Sequence, residues 1–377
     1  MTNERRKAIG IQNGPDSIAA VVTMNGSAFT LFSGMTVARE RGTFRFAGTP
    51  LGQLTPDPAE RHNGRLIPRP VLRPGKEQPV PVALGGIEGP AGVYNGFDRD
   101  YAGGGTALDL DGEIYYFYHG ENNFRFEPSG DRSRESKSNG WGGIGLAIWE
   151  PDAQMFRKCG QILGMNAPNG VTSEGNDPAN CRQTFALADE ANAVYNPSDG
   201  FIYLYYSDSA AEQGRSHVTV ARVKKKDLVD AVKAGQVPRF LKYYQDGFSE
   251  PGMLDHGTGG RSSGVLGRLG YRSAHVTWLP KHKCYLMVVG FAHERICLRT
   301  STNGVDWSQD TALATVREGF SALYPYLYGP KLQAGNESDF WLLFTEISST
   351  RDARTGRNQV SFKEGASLQR RRVRLAW

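Results

Sequence analysis

The chain has 377 residues and a formal net charge of +5 at pH 7, and its 39% hydrophobic content is broken into short pieces by 46 Gly and 20 Pro. No stretch approaches the roughly 18 consecutive apolar residues of a membrane-spanning helix, so no membrane partner is expected. The one basic cluster, Arg370-Arg371-Arg372 with Arg374, alternates with Val373, Leu375 and Trp377. It reads as a last strand with one charged face, and nucleic acid is not expected as a partner.

The N-terminal MTNERRKAIG is charged, with no apolar run behind it and no small-residue cleavage site. Residues 1–17 are therefore expected as a flexible tail, with a cytoplasmic location by default unless a leader has been removed. From Ile18 onward, short aromatic and β-branched runs alternate with Gly, Asn, Asp and Pro turns, the pattern of an all-β protein. The fair helical candidate is Lys225 to Ala234, KKDLVDAVKA, with Leu228, Val229 and Val232 on one side. Cys159, Cys181, Cys284 and Cys297 form no Cys-x-x-Cys pair and no zinc spacing with histidine. Cys284 and Cys297 are placed to face each other across a hairpin, although free buried thiols are the preferred reading.

A unit recurs four times. The first copy reads ALDLDGEIYYFYHGEN then GIGLAIWEPDAQMF, and the second NAVYNPSDGFIYLYYSDS then HVTVARVKKKDL. The third reads HVTWLPKHKCYLMVVGF then ICLRTSTNGVDWS, and the fourth PYLYGPKLQAGNESDFWLLFTE then NQVSFKEGASLQ. Each has a short strand, a polar turn, an aromatic strand, and a third strand ending in a charged turn. That is the layout of a propeller blade, a small antiparallel sheet packed face to face with its neighbours. Ile18 to Phe46 and the C-terminal Val373 to Trp377 are available for a fifth blade. The predicted fold is a single all-β domain over 18–377, a five-bladed β-propeller with long inter-strand loops. Roughly 75 residues per unit exceeds the ~40–50 of common repeat propellers. The excess falls in Ile67 to Val82, Pro128 to Gly143 and Glu250 to Gly270, loops long enough to carry function.

Acidic residues precede two of the aromatic strands by about ten positions: Asp100 before Gly112-Glu113-Ile114-Tyr115-Tyr116, and Glu190 before Gly200-Phe201-Ile202-Tyr203-Leu204. In this the region Tyr94 to Glu346 resembles the five-bladed propeller glycoside hydrolases, the family 43-like group of arabinanases, xylosidases and arabinofuranosidases. The match is one of pattern: the family's usual Asp-Pro is missing, since Tyr101 follows Asp100. The resemblance implies that innermost strands begin in a central funnel and carry the catalytic carboxylates there. The blade openings are then Asp100, Glu190, His275 and Tyr324.

Glycoside hydrolysis needs one carboxylic acid to protonate the leaving oxygen and one carboxylate to activate water or attack carbon. Asp100 is the candidate base or nucleophile and Glu190 the candidate acid. Glu250, which opens the glycine-rich loop in FSEPG, is the reserve acid. Asp98, Arg99, Arg182, Arg261, His275 and Tyr324 are the candidate substrate-binding residues. A carbohydrate substrate, no metal and no cofactor are expected, and oligomeric state stays open. The bland reading of each acid is a turn cap or a pair with Arg99, Arg182 or Arg261, and of His275 a buried histidine bonded to backbone. A non-catalytic sugar-binding propeller, or a phosphorylase or lyase on the same ring, stays open beside the glycosidase.

Two other motifs receive structural readings. Asp109-Leu110-Asp111-Gly112-Glu113 lacks the later ligands of a calcium loop, and Asp-Gly between strands is first a hairpin turn. Gly260-Arg261-Ser262-Ser263-Gly264 matches Gly-x-Ser-x-Gly, but that motif works between a strand and a helix, and VLGRLGY after it carries no helix signal.

Overall fold

A computed structural model describes residues 11–13, 20–24, 27–36, 41–47, 80–81, 84–85, 97–98, 101–124, 139–152, 155–166, 186–208, 217–254, 258–267, 270–292, 294–316, 318–328, 339–351, 358–360 and 367–375. The longest apolar runs become second strands of blades, as in FIYLYYSD and CYLMVVGF, both buried almost throughout. β-branched and aromatic side chains suit a pleated, packed surface, and burial on both faces gives a continuous apolar run rather than an alternating one.

In the N-terminal sheet are β1 (Ile11–Asn13), β2 (Ala20–Met24), β3 (Ser27–Thr36), β4 (Arg41–Ala47) and β5 (Val80–Pro81). The two-residue β6 (Leu84–Gly85) runs parallel to the edge of the first blade. That blade comprises β7 (Tyr101–Leu110), β8 (Glu113–Phe124), β9 (Asn139–Glu150) and β10 (Met155–Leu163). The second comprises β11 (Ala186–Asn196), β12 (Phe201–Asp208), β13 (His217–Lys224), β14 (Leu241–Tyr244) and β15 (Gly247–Pro251). The third is β16 (Tyr271–Leu279), β17 (Cys284–Phe291), β18 (Arg295–Ser301) and β19 (Thr311–Thr315). In the fourth, β20 (Phe320–Tyr328) pairs with β21 (Asp339–Arg351), which also pairs with β22 (Asn358–Val360) and β23 (Ser367–Arg374). The inner strands β7, β11, β16 and β20 pack in succession.

The architecture is an all-β propeller, but four blades are built of the described residues, not the expected five. The C-terminal run is the reason. β23 pairs with β21 from Asp339↔Arg374 to Glu346↔Ser367, and Val373 packs into the core between the third and fourth blades. That strand thus completes the fourth blade instead of joining Ile18 to Phe46 in a fifth. The N-terminal strands form their own sheet, whose β2 and β4 lie against β7. β1 falls inside the expected tail and pairs with β3 through Ile11↔Thr36.

Apolar packing between blades is aromatic. Phe117 meets Phe240 edge-on between the first two blades, with ring centroids 6.4 Å apart. Tyr203 meets Tyr285 at 5.5 Å between the second and third. Leu286 and Val288 share a core with Phe340, Leu342 and Phe344 between the third and fourth. The expected helix is present as α1 (Lys225–Lys233), with Leu228 and Val232 buried one turn apart. Cys159, Cys284 and Cys297 are free thiols. Cys284 pairs with Leu279 and Cys297 with Val289, so the two do not face each other across their hairpin.

Every inner strand carries the same irregularity. The register slips between Gly103 and Gly105 in β7, Asp189 and Asn192 in β11, Arg272 and His275 in β16, and Leu323 and Tyr326 in β20. At each slip one residue takes a left-handed φ: Gly104 at 61°, Glu190 at 59°, Ser273 at 55° and Tyr324 at 54°. These are β-bulges, which bend the strand and re-aim its side chains. A repeated latch accompanies them. The second residue after the bulge accepts a hydrogen bond from a backbone N–H of the next blade's inner strand. Thr106 Oγ1 accepts from Ala193 N at 2.7 Å, Asn192 Oδ1 from Val276 N at 2.8 Å, and His275 Nδ1 from Leu327 N at 3.2 Å.

Candidate functional site

The bulges put Glu190, Ser273 and Tyr324 at corresponding places near the opening ends of their inner strands. Glu190 is half-buried, and its carboxylate bridges two blades. Oε2 accepts from Ser207 Oγ at 2.9 Å and from Ser273 N at 2.6 Å, while Oε1 accepts from Ser273 Oγ at 2.6 Å. Among the described sequence candidates it is the one held by hydroxyls and an amide, and both serines went unnoticed in the sequence. No pattern marks them: Ser207 enters through the β11–β12 register, and Ser273 through its left-handed bulge.

Asp98 is placed differently from expectation. Its side chain is fully buried, accepts a hydrogen bond from Tyr118 Oη at 2.8 Å, and pairs with Lys158 Nζ at 2.7 Å. It is an internal tie of the first blade rather than a group presented to a ligand. Asp100, Arg99 and Arg182 lie outside the described residues, so the separation of the Asp100 and Glu190 carboxyls is not part of the geometry.

Glu250 does not have the character of a general acid. Arg261 grips it with its backbone N–H at 3.1 Å and with Nη2 at 2.9 Å. Burial pushes its carboxyl up, but the Arg261 amide, guanidinium and charge together hold it below the usual carboxylate range. A general acid needs the opposite shift. The same pair occupies Arg261, which also lies over the Tyr244 ring at 4.3 Å.

His275 sits 7% exposed, with its ring 4.2 Å from that of Tyr326. Burial pulls its pKa down to about 3. A neutral imidazole with Nδ1 accepting from Leu327 N serves as a latch between the third and fourth blades, matching the backbone-bonded reading of this histidine. Tyr324 packs against Leu323 and Ile347.

The Gly-x-Ser-x-Gly loop does bring its serine to an acid and an imidazole. Ser262 Oγ donates to Asp208 Oδ2 at 2.8 Å and lies 3.5 Å from His217 Nε2. In a nucleophilic triad the carboxylate orients the imidazole and the imidazole contacts the serine. Here the carboxylate takes the serine's hydrogen bond, so the connectivity is that of a staple. Under it lies Lys242, fully buried, donating to the carbonyls of Gly164 and Gly260 with Asp208 Oδ2 at 3.7 Å. Burial pulls the Lys242 ammonium down while the Asp208 charge pulls it up. The cluster fastens the glycine-rich loop to the first two blades. Among the described residues, no group of three or more His, Cys, Asp or Glu is arranged to hold a metal ion, and no helix is long and apolar enough to cross a membrane.

No protein family matches the chain, and no curated protein matches it in sequence. Among solved structures it is similar to a family 43 endo-arabinanase from Bacillus licheniformis, with 11% identity, 96% of each chain covered and a TM-score of 0.44. It is also similar to an exo-1,5-α-L-arabinanase from a bovine ruminal metagenomic library, with 10% identity, 97% of this chain and 98% of that one covered, and a TM-score of 0.48. An N-acetylgalactosamine deacetylase from F. plautii, in complex with blood group B trisaccharide, shares 12% identity over 96% of this chain and 93% of its own, with a TM-score of 0.44. At these values the fold rests on strand order and register, and the chemistry on the site.

Proposed function

We propose that this chain is a carbohydrate-active propeller that hydrolyses a glycosidic bond at the rim of its inner strands, with Asp100 and Glu190 as the carboxylate pair. The observation that carries the reading is the setting of Glu190. It is a half-buried carboxylate on an inner strand, fixed between two blades by Ser207 and Ser273. Catalytic carboxylates have to be held to within a fraction of an ångström, and such tethering supplies that. Glu250 is tethered too, but by Arg261, which holds its carboxyl below the range a general acid needs. A phosphorylase would need a free cationic pocket for phosphate, whereas Arg261 is committed to Glu250 and His275 is latched to Leu327 N.

The test is turnover by wild type, Asp100→Asn and Glu190→Gln on aryl arabinofuranosides and xylosides and on arabino- and fructo-oligosaccharides. Each substitution is expected to lower kcat by about 10³-fold or more, because general acid–base catalysis by one group contributes typically 10²–10⁴-fold. Ser273→Ala keeps the carboxylate but loosens it, so a smaller drop in kcat is expected with a comparable drop in Tm. If Glu190→Gln and Ser273→Ala lower Tm alike and turnover is untouched, Glu190 is a blade clamp.

A second reading, a sugar-binding propeller without catalysis, is favoured by the bonding of Glu190 itself. A carboxylate offers about four lone-pair sites, and the two serines fill three of them. Under that reading the protein binds oligosaccharides and no variant shows turnover.

A further inference from the structure

At the outer rim, away from the inner strands, a cleft opens between the third and fourth blades. Its volume is about 480 Å³, and it is lined by Thr315, Val316, Phe344, Glu346, Gln369 and Arg371. Small-molecule sites span roughly 300–1,000 Å³, so the space suits a ligand of one or two sugar rings. Strand register explains its polar wall. Gln369 stands opposite Phe344 on β21, Arg371 opposite Leu342, and Ser367 opposite Glu346. Directly opposed residues share a face, so Phe344, Glu346, Gln369 and Arg371 all point toward the third blade. Further down that face Phe340 and Val373 close into the apolar core. Above them the row turns polar, while Thr315 at the end of β19 and Val316 just after it form the third blade's side.

The chemistry of the wall narrows the ligand. Among the described lining residues one carboxylate and one guanidinium leave no net formal charge, which disfavours a lone anion or cation. Carboxylate, amide and guanidinium are planar groups that each bridge two neighbouring hydroxyls, and together they offer both donors and acceptors. Gln369 Nε2 donates to Glu346 Oε2 at 3.3 Å, which sets these two side chains in one plane of contact. Val316 adds an apolar patch for a C–H face, and Arg371 lies over the Phe344 ring at 5.6 Å, which steadies its fork. The cleft opens at the end of β19 and the start of β23, the same end of the blades as Glu190 and Ser273.

We propose that this cleft is a second carbohydrate site, separate from the inner-strand rim, that holds a neutral sugar unit. The inference rests on the reading of the chain as carbohydrate-active, although not on its being a hydrolase. A polymer held at both places gains effective concentration at the rim without any new contact there.

The test is calorimetric titration of the full chain with arabinotriose, xylotriose, 1-kestose and galactose, together with crystals soaked in the sugar that binds. Wild type and Glu190→Gln are expected to bind alike at the cleft. Arg371→Ala and Gln369→Ala are expected to lose about tenfold or more in affinity, with Tm unchanged because both side chains are on the outer strand. Conversely, turnover of a short aryl glycoside should be unaffected by Arg371→Ala. Failure of every sugar to bind wild type overturns the proposal, as does binding that neither cleft substitution weakens. Loss of turnover in the rim variants with cleft binding kept leaves both readings standing. Absence of turnover in wild type with cleft binding kept removes only the hydrolase.

Discussion

His275 shows how one residue's environment decides its role. As a histidine in RSAHVTW it suits a sugar ligand or a backbone partner, and the fold selects the latter by burying it and giving Nδ1 the Leu327 amide. A protonated ring has no acceptor, so charging it breaks the latch. Its pKa, pulled down by burial to about 3, lies below the roughly 6.5 of an unfolded chain. The unfolded chain therefore binds the extra proton between these values. The contribution to stability is full above about pH 6.5 and falls as pH drops toward 3. Asn192 performs the same task one blade earlier with an amide oxygen, which has no charge to gain. His275→Asn should accordingly be less stable than wild type at pH 7, from lost contact with Tyr326. The gap should shrink by about 2–3 kcal/mol at pH 4.5, at about 1.4 kcal/mol per pH unit. Urea midpoints at the two pH values measure this, and parallel pH profiles would mean that Nδ1 is not the acceptor.

At the scale of the element, the bulge is the part of the fold that the sequence hides best. Turns are written in residue types: Asp111 and Gly112 take the left-handed φ values of 58° and 88° that the Asp-Gly hairpin reading requires, and Asp109 Oδ1 accepts from Gly112 N. Helix α1 is legible too, from the spacing of Leu228 and Val232. Glu190, Ser273 and Tyr324 carry no left-handed preference, so neither their bulges nor the Glu190–Ser273 contact across 83 positions could be read locally. The candidate site was legible as a list of acids near strand openings. It was not legible which of them were tied, Asp98 by Lys158 and Glu250 by Arg261. The Asp98–Lys158 tie spans 60 positions and is a packing fact, while Glu250 and Arg261 meet across one loop. The first blade builds its bulge from glycines, and this sets up a contrast. A Cβ on Gly105 would lie 1.7 Å from the Phe117 carbonyl oxygen, backbone against backbone, whereas one on Gly112 meets nothing within 4 Å. Gly105→Ala should cost on the order of 3 kcal/mol or more, since the ladder between β7 and β8 has to part. Gly112→Ala should cost only the roughly 1–2 kcal/mol of a left-handed alanine. Equal shifts in the urea midpoint would mean that the inner strand does not approach β8 so closely.

Across the whole molecule, the four repeated units correspond to four blades, and the surplus material at the two ends was the part misassigned. Hydrophobic periodicity marks Val373 and Leu375 as strand residues but does not name their partner. Register does, because Arg374 stands opposite Asp339 and Val373 opposite Phe340. The two ends of the chain therefore do different work, and deleting each should have a different effect. Ending the chain at residue 366 strips β21 of its partner from Asp339 to Glu346 and uncovers the core beneath Val373. An unpaired apolar edge invites association, so this variant is expected to aggregate or to lose cooperative unfolding. Removing residues 1–47 takes away the strands against β7 and the buried Val22, yet leaves every pairing of the fourth blade in place. Amide exchange read strand by strand should then quicken in β7 and stay slow in β21 and β23. Were the ring closed by pairing of the two ends, as in a five-bladed arrangement, the N-terminal deletion would release β23 as well, and its amides would exchange as fast as those of β7.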